Sequence, residues 1–230
     1  MAKTSEQVYR QIRAGILAGD FTPGAFVPED EFATYCGTSR TPVREAIARL
    51  VSETLLQRSG TRRVFVPAWS DSDIEELFSL RAQLEAHCAQ RAAELISSEQ
   101  IARLREHCDF IDQALAARPG PDVPGFVEGN RRFHATILEA AQSEPLNQMM
   151  RILVSQVIVH RTAERYTFED IEQSQRDHRD LIEAFAAHDA QWAGAIARNH
   201  IRRAAYSYRL RTQRDAEGDG DKVVAEARGA

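Results

Sequence analysis

The chain has 230 residues, 43% of them hydrophobic and 27% charged, the composition of a water-soluble globular protein long enough for one large domain or two smaller ones. No apolar run approaches the roughly 20 residues that span a bilayer, and the polar start Met1-Ala2-Lys3-Thr4-Ser5-Glu6 lacks a signal peptide's apolar core, so no membrane partner and a cytoplasmic location are expected. The net charge of −5 argues against nucleic acid when taken whole, but residues 1–66 hold 9 Lys and Arg against 7 Asp and Glu, leaving 20 against 27 for the remainder, so the basic excess is N-terminal.

Val8, Ile12 and Ile16 recur at helical spacing and predict a helix over residues 6–18, ended by Gly19. Phe21-Thr22-Pro23-Gly24 is a turn signal, and residues 28–36 read as a second helix with Pro28 and three acids at its start. Gly37 breaks it. In the stretch that follows, Ser39 is a candidate N-cap and Val43, Ile47 and Leu50 line one face. Arg40, Thr41, Arg44 and Ala48 therefore point elsewhere, which suits either a solvated surface or a helix for a DNA major groove. Two short helices joined by such a turn have the shape of a helix-turn-helix.

Residues 55–58 and 64–66 read as strands around a small basic tip, Ser59-Gly60-Thr61-Arg62-Arg63. Beside a helix-turn-helix this hairpin would be a wing with Arg62 and Arg63 within reach of phosphates; alone, it would be a solvated tip. Residues 67–70 read as a linker, with Asp71 or Ser72 as the next N-cap. Six helices are then predicted near 71–95, 98–117, 126–142, 145–166, 169–188 and 189–213, an all-α bundle. The domains expected are thus 1–66 and 71–213, with a polar, Gly-rich, disordered tail at 214–230. Three cysteines fit a reducing compartment better than a disulfide framework.

Histidines fall on several of the bundle helices. Asn130 and His134 are four apart on the third bundle helix, His178 lies on the fifth and His200 on the sixth. Singly, each His is more often a core or surface residue. Three converging imidazoles would suit a divalent ion such as Zn(II) or Ni(II). The neighbours His87-Cys88 and His107-Cys108 point about 100° apart on a helix and read as structural.

The string Ser39-Arg40-Thr41-Pro42-Val43-Arg44-Glu45-Ala46, with Pro23-Gly24 upstream and Arg49-Leu50 after it, resembles the winged helix-turn-helix of the GntR family of bacterial transcription regulators. Arg81-Ala82-Gln83-Leu84-Glu85, Asn130-Arg131-Arg132-Phe133-His134, His178 and His200 are similar to the FCD domain of its FadR-type branch. Six bundle helices look more like the shorter VanR-type members.

The resemblance implies a mainly α protein, an N-terminal winged helix-turn-helix followed by a six-helix bundle, acting as a homodimeric regulator and not as an enzyme. It implies repression, double-stranded operator DNA with an inverted repeat, and a small carboxylate effector held at or near the metal. Ser39, Arg40, Thr41, Arg44, Arg49, Gly60, Arg62 and Arg63 become the expected DNA contacts, with Arg49 able instead to pair with Glu53. Asn130, His134, His178 and His200 become the metal set, and Arg81 either neutralises the effector or pairs with Glu85. Two departures stand out: Thr54 where the family has Gly, and Asn130 where it most often has Asp. The alternatives are a regulator that answers to metal alone and a metalloenzyme carrying a winged helix, for which Glu128, Glu139 and Asp177 are the candidate bases.

Overall fold

In a computed structural model, which describes residues 3–60, 63–118, 120, 122–153 and 166–216, the chain falls into two compact units. One is built on Met1–Ile74 and the other on Glu75–Met150 and Thr162–Ala230.

The first unit contains α1 (Ser5–Ala18), α2 (Glu29–Cys36), α3 (Arg40–Ser52), β1 (Gln57–Ser59) and β2 (Arg63–Phe65). Thr4 opens α1 with a capping box: its hydroxyl accepts the Gln7 amide proton, and the Gln7 side chain accepts from the Thr4 amide. Val8, Ile12 and Ile16 of α1 are buried in one cluster with Val43, Ile47 and Leu50 of α3. Each such side chain contributes about 1.5–3 kcal/mol by leaving water. Gly19 and Gly37 close α1 and α2 in the left-handed conformation.

Arg58 faces Val64 in the antiparallel β1–β2 pair. The first strand begins two residues later than the sequence suggests because the Leu55 and Leu56 amides both donate back to the Leu50 carbonyl at the end of α3, at 3.0 and 3.2 Å. The segment after the Pro23-Gly24 turn also pairs with the hairpin, since the Val27 amide donates to the Val64 carbonyl at 2.9 Å and Gly24 to Val66 at 2.8 Å. No alternation in residues 24–27 announces this. Ser39 occupies the N-cap of α3 with extended backbone, yet its hydroxyl makes no capping bond. The cap is positional only.

Thr54, the family's glycine position, has φ +59°, a region costly for a β-branched residue, and its buried hydroxyl oxygen has no hydrogen-bond partner among the described residues. Thr54→Gly relieves strain of about 1–3 kcal/mol against about 0.5–1 kcal/mol of added unfolded-state entropy. The variant should be about 1 kcal/mol more stable, raising the urea midpoint of the first unit's unfolding; an unchanged or lower midpoint would contradict this.

The remaining helices among the described residues are α4 (Asp71–Leu95), α5 (Ser98–Leu115), α6 (Val123–Ala140), α7 (Glu144–Leu153), α8 (Phe168–Ala186) and α9 (Ala190–Ala216). Ser70, rather than Asp71 or Ser72, starts α4, its hydroxyl accepting the Asp73 amide proton while the Asp73 carboxylate accepts from the Ser70 amide. Helix α6 starts three residues before the expected 126 because Asp122 caps it through the Gly125 amide and Pro124 sits in its first turn. Thr167 and Asp170 form the capping box of α8.

The core of this bundle joins Ala89, Ala92 and Ala93 of α4 to Leu104, Phe133, Leu181 and Phe185. At Gly129 an added Cβ would lie 2.5 Å from Ile111 Cγ1, so α5 and α6 approach closely there. The predicted helix at 145–166 is described as far as Leu153, and residues 154–165, like the tail from 217, lie outside the described residues. No described helix is long and apolar enough to cross a membrane.

Candidate DNA-contacting surface and metal site

Ser39, Arg40, Thr41 and Arg44 are all exposed at the N-terminal end of α3, on the side away from the buried Val43, Ile47 and Leu50. Their basic groups are not free. The Arg44 guanidinium Nε donates to Glu29 Oε2 at 2.7 Å, and Arg40 is paired with Asp30, so the first turn of α2 supplies a carboxylate to each. All four partners keep contact with solvent, so these pairs add little to stability.

Arg49 is differently placed. It donates to Glu53 at 3.0 Å and to Glu6 at 2.8 Å, and its guanidinium lies 3.7 Å from the Tyr9 ring centroid. Those contacts tie α3 to α1 and make Arg49 the least available of the expected DNA residues. Gly60 stands at the hairpin tip with φ +64°, and exposed Arg63 lies 6.0 Å from the Phe26 ring. Arg62 is outside the described residues.

In the second unit, His134 on α6, His178 on α8 and His200 on α9 come together: one nitrogen from each lies within 4.8 Å of the others. Their ring centroids are 5.0–5.5 Å apart. His178 is 0% exposed and stacks on Phe133 at 4.1 Å.

Each ring spends Nδ1 on an outward partner. His134 Nδ1 is 3.0 Å from Glu85 Oε2, His178 Nδ1 is 3.2 Å from Gln175 Oε1, and His200 Nδ1 is 3.2 Å from Asp177 Oδ2. This leaves the Nε2 atoms for an ion, and His178 Nε2 is buried with no partner among the described residues. A donor set with its second nitrogens held in this way is the arrangement that metal-binding histidines adopt. The residues therefore fit a divalent ion.

Burial, followed by the charges of His200 and His134, drives the His178 pKa well below its ordinary value, and burial lowers that of His200 too. Both are thus neutral near pH 7, the state a metal needs. Burial alone would raise the Glu85 carboxyl, but Arg81 and then His134 more than offset it and hold it far below the usual range. Asp177 is lowered similarly, with burial opposed by hydrogen bonds from His200 and Arg203.

Asn130 is half-buried, one turn before His134 on α6. Arg81 is 8% exposed and donates through Nε and Nη2 to Glu85 Oε1 at 3.1 and 2.8 Å, so its observed partner is the one four residues along its own helix. The arginine that sequence reasoning missed is Arg203. It binds Asp177 and lines a cavity of about 140 Å³ with His200, Tyr166, Ser174, Asp170 and Ser207. It lies on α9 three residues after His200, a spacing that signals nothing without the pocket. Glu85, Gln175 and Asp177 were also missed as supports for the histidines.

The cysteines of the His-Cys pairs are buried, and burial pushes the Cys88 and Cys108 thiols up to about 12. His107 meets Thr136 instead. Among the candidate bases, Glu128 is held by Arg131 and Arg132, Glu139 by Arg103, and Asp177 by His200 and Arg203. None is poised to take a proton from a substrate.

A winged helix-turn-helix followed along the chain by an all-helical domain is the domain order of a DNA-binding transcription regulator. Residues 4–66 match the bacterial regulatory proteins of the gntR family and residues 76–203 match the FCD domain. The chain belongs to the GntR family, in the FadR-type branch with an FCD domain; it is a DNA-binding transcriptional regulator and not an enzyme.

It is 35% identical over 136 residues to an HTH-type transcriptional regulator of the TAR-I ttuE-ttuC' intergenic region of Agrobacterium vitis, covering 58% of this chain and 78% of that one. It is 24% identical to the HTH-type transcriptional repressor RspR of Escherichia coli K12, over 93% and 92% of the two chains. Three other curated relatives align over 63 to 65% of their own length. The solved structure of E. coli McbR/YncC superposes with a TM-score of 0.70 at 23% identity, covering 93% of this chain and 99% of that one, and shares the fold.

Proposed function

We propose that this regulator is a homodimeric repressor whose operator affinity is set by a small carboxylate bound at or near a divalent ion, Zn(II) or Ni(II), held by His134, His178 and His200. The observation that carries the reading is the buried His178 Nε2, without a partner among the described residues, facing two further imidazoles whose Nδ1 atoms are already engaged. Asn130, one turn from His134, adds a neutral amide oxygen to the set.

Charge accounts for the effector's sign. Arg81 neutralises Glu85, Arg203 neutralises Asp177, and Gln175 is neutral, so an ion's own charge stays uncompensated and draws an anion. The ion would supply open coordination positions for carboxylate oxygens. Arg203 stands beside His200 to receive the same anion. The cavity of about 140 Å³ that Arg203 and His200 line has room for a small acid.

Ser39, Arg40, Thr41 and Arg44 are the proposed groove contacts, with Gly60, Arg62 and Arg63 of the wing on the adjacent backbone and Arg49 supporting α3 from behind. Paired recognition helices call for an inverted repeat. The domains concerned are residues 1–66 and 71–213, joined by 67–70, and the protein works in the cytoplasm. An effector changes DNA affinity only by binding one arrangement of the dimer better than the other.

Gel shifts on the promoter beside the protein's own gene, with and without Zn(II) and a panel of small carboxylic acids, test this. Binding to an inverted repeat, reversed by one acid only when metal is present, is expected. Release by metal alone would replace the carboxylate with the ion as the signal, and no binding to any nearby inverted repeat would overturn the reading.

A further inference from the structure

We propose that Gln175 is the residue that makes His178 a metal ligand, by holding its imidazole in the tautomer whose Nε2 carries no proton. The proposal rests on the metal reading above. Gln175 is 1% exposed and lies on α8, one turn before His178.

One end of its side-chain amide is 2.7 Å from the Cys108 carbonyl oxygen and 3.0 Å from Asp112 Oδ1. A carbonyl and an ionised carboxylate only accept hydrogen bonds, so that end is the NH2 and both its protons are used. The other end is therefore the amide oxygen, which only accepts, and it faces His178 Nδ1 at 3.2 Å. Nδ1 must then carry the ring's proton. A neutral imidazole has one, so Nε2 is left with its lone pair, and Nε2 is the buried atom with no partner among the described residues.

The amide cannot turn over without setting its oxygen against two acceptors. It is further tethered because Asp112 is gripped by Arg179, whose Nη2 donates to both carboxylate oxygens at 2.8 and 2.7 Å. His134 and His200 differ, since their outward partners are the carboxylates of Glu85 and Asp177. Gln175 directs its histidine equally well and adds no charge to the site.

The test uses full-length protein stripped of metal by dialysis against a chelator, with histidines labelled with nitrogen-15, and reads the two-bond proton–nitrogen correlations at pH 7.5. The His178 pattern, assigned by its loss in His178→Asn, should be that of an Nδ1–H ring in the wild type. Gln175→Leu should move the proton to Nε2 and weaken Zn(II) binding about 10- to 100-fold in competition with a chromophoric chelator. The proposal is overturned by a wild-type His178 protonated on Nε2, a measurement that needs no variant to fold. It is equally overturned by a folded Gln175→Leu protein that keeps the wild-type tautomer and a Zn(II) affinity within about twofold of wild type. A wild type that binds no Zn(II) would overturn the metal reading itself, whereas the tautomer is read without metal and decides the role of Gln175 separately.

Discussion

Arg44→Ala is expected to abolish operator binding while leaving metal content and oligomeric state at wild-type values. Arg44 projects from the exposed face of α3, and its folded-state partner is Glu29 alone among the described residues. Loss of that exposed pair costs little stability. In the complex, the same guanidinium can grip guanine O6 and N7 together, a contact worth about 1–3 kcal/mol. The proposed dimer would present it twice, so the expected loss is about 2–6 kcal/mol, roughly 30-fold to more than 10,000-fold. The freed Glu29 carboxylate, left near the phosphates, adds repulsion. Fluorescence anisotropy on the inverted repeat measures the effect, and binding within about threefold of wild type would remove Arg44 from the interface.

His134→Ala is expected to eliminate tight Zn(II) binding and, with it, the response of DNA binding to the effector. Of the three histidines it is the most accessible, its side chain being 24% exposed against 7% for His200. Its removal therefore leaves the smallest void, and Glu85 retains Arg81. Losing a ligand outright should exceed the roughly 10- to 100-fold cost of losing a ligand's supporting hydrogen bond, so more than about 100-fold in affinity is expected. The wild type should gain about 4 kcal/mol of stability at a free Zn(II) concentration about a thousand times its Kd, and the variant nearly none. Thermal melts with and without Zn(II) read this directly. Equal shifts in both proteins would place the ion elsewhere.

Local chemistry made much of the fold legible. Val8, Ile12 and Ile16, or Val43, Ile47 and Leu50, declare buried helix faces because the 3.6-residue period brings them to one side, and Gly19 and Gly37 declare stops because few other residues accept a left-handed backbone. The starts were less legible. Ser39, Ser70, Asp71 and Ser72 all offer plausible caps, and only the geometry of the preceding chain decides which side-chain oxygen reaches an amide. The pairing of residues 24–27 with β2 was hidden for a similar reason: a short edge segment needs no alternating pattern.

The site shows the same division. His134, His178 and His200 stood out through a family resemblance, since three histidines separated by 44 and 22 positions carry no period of their own. Their supports were invisible. Glu85, Gln175 and Asp177 reach the rings from α4 and α8, and nothing in their local sequence separates them from other polar helix residues. For Arg81 the sequence left two partners open, an effector and Glu85 four residues along α4, and the guanidinium donates to Glu85.

The pairing of Arg40 and Arg44 with Asp30 and Glu29 also bears on how the protein samples DNA. An arginine already neutralised by an internal carboxylate enters a complex by exchanging one anion for another, and a phosphate that merely offers charge gains little over the carboxylate it displaces. A guanine edge offers geometry as well. If Arg40 and Arg44 meet DNA as proposed, the acids of α2 would set a small threshold against contacts that offer charge alone, no more than the roughly 0–1 kcal/mol of an exposed ion pair, and a guanine edge held by two hydrogen bonds would exceed it.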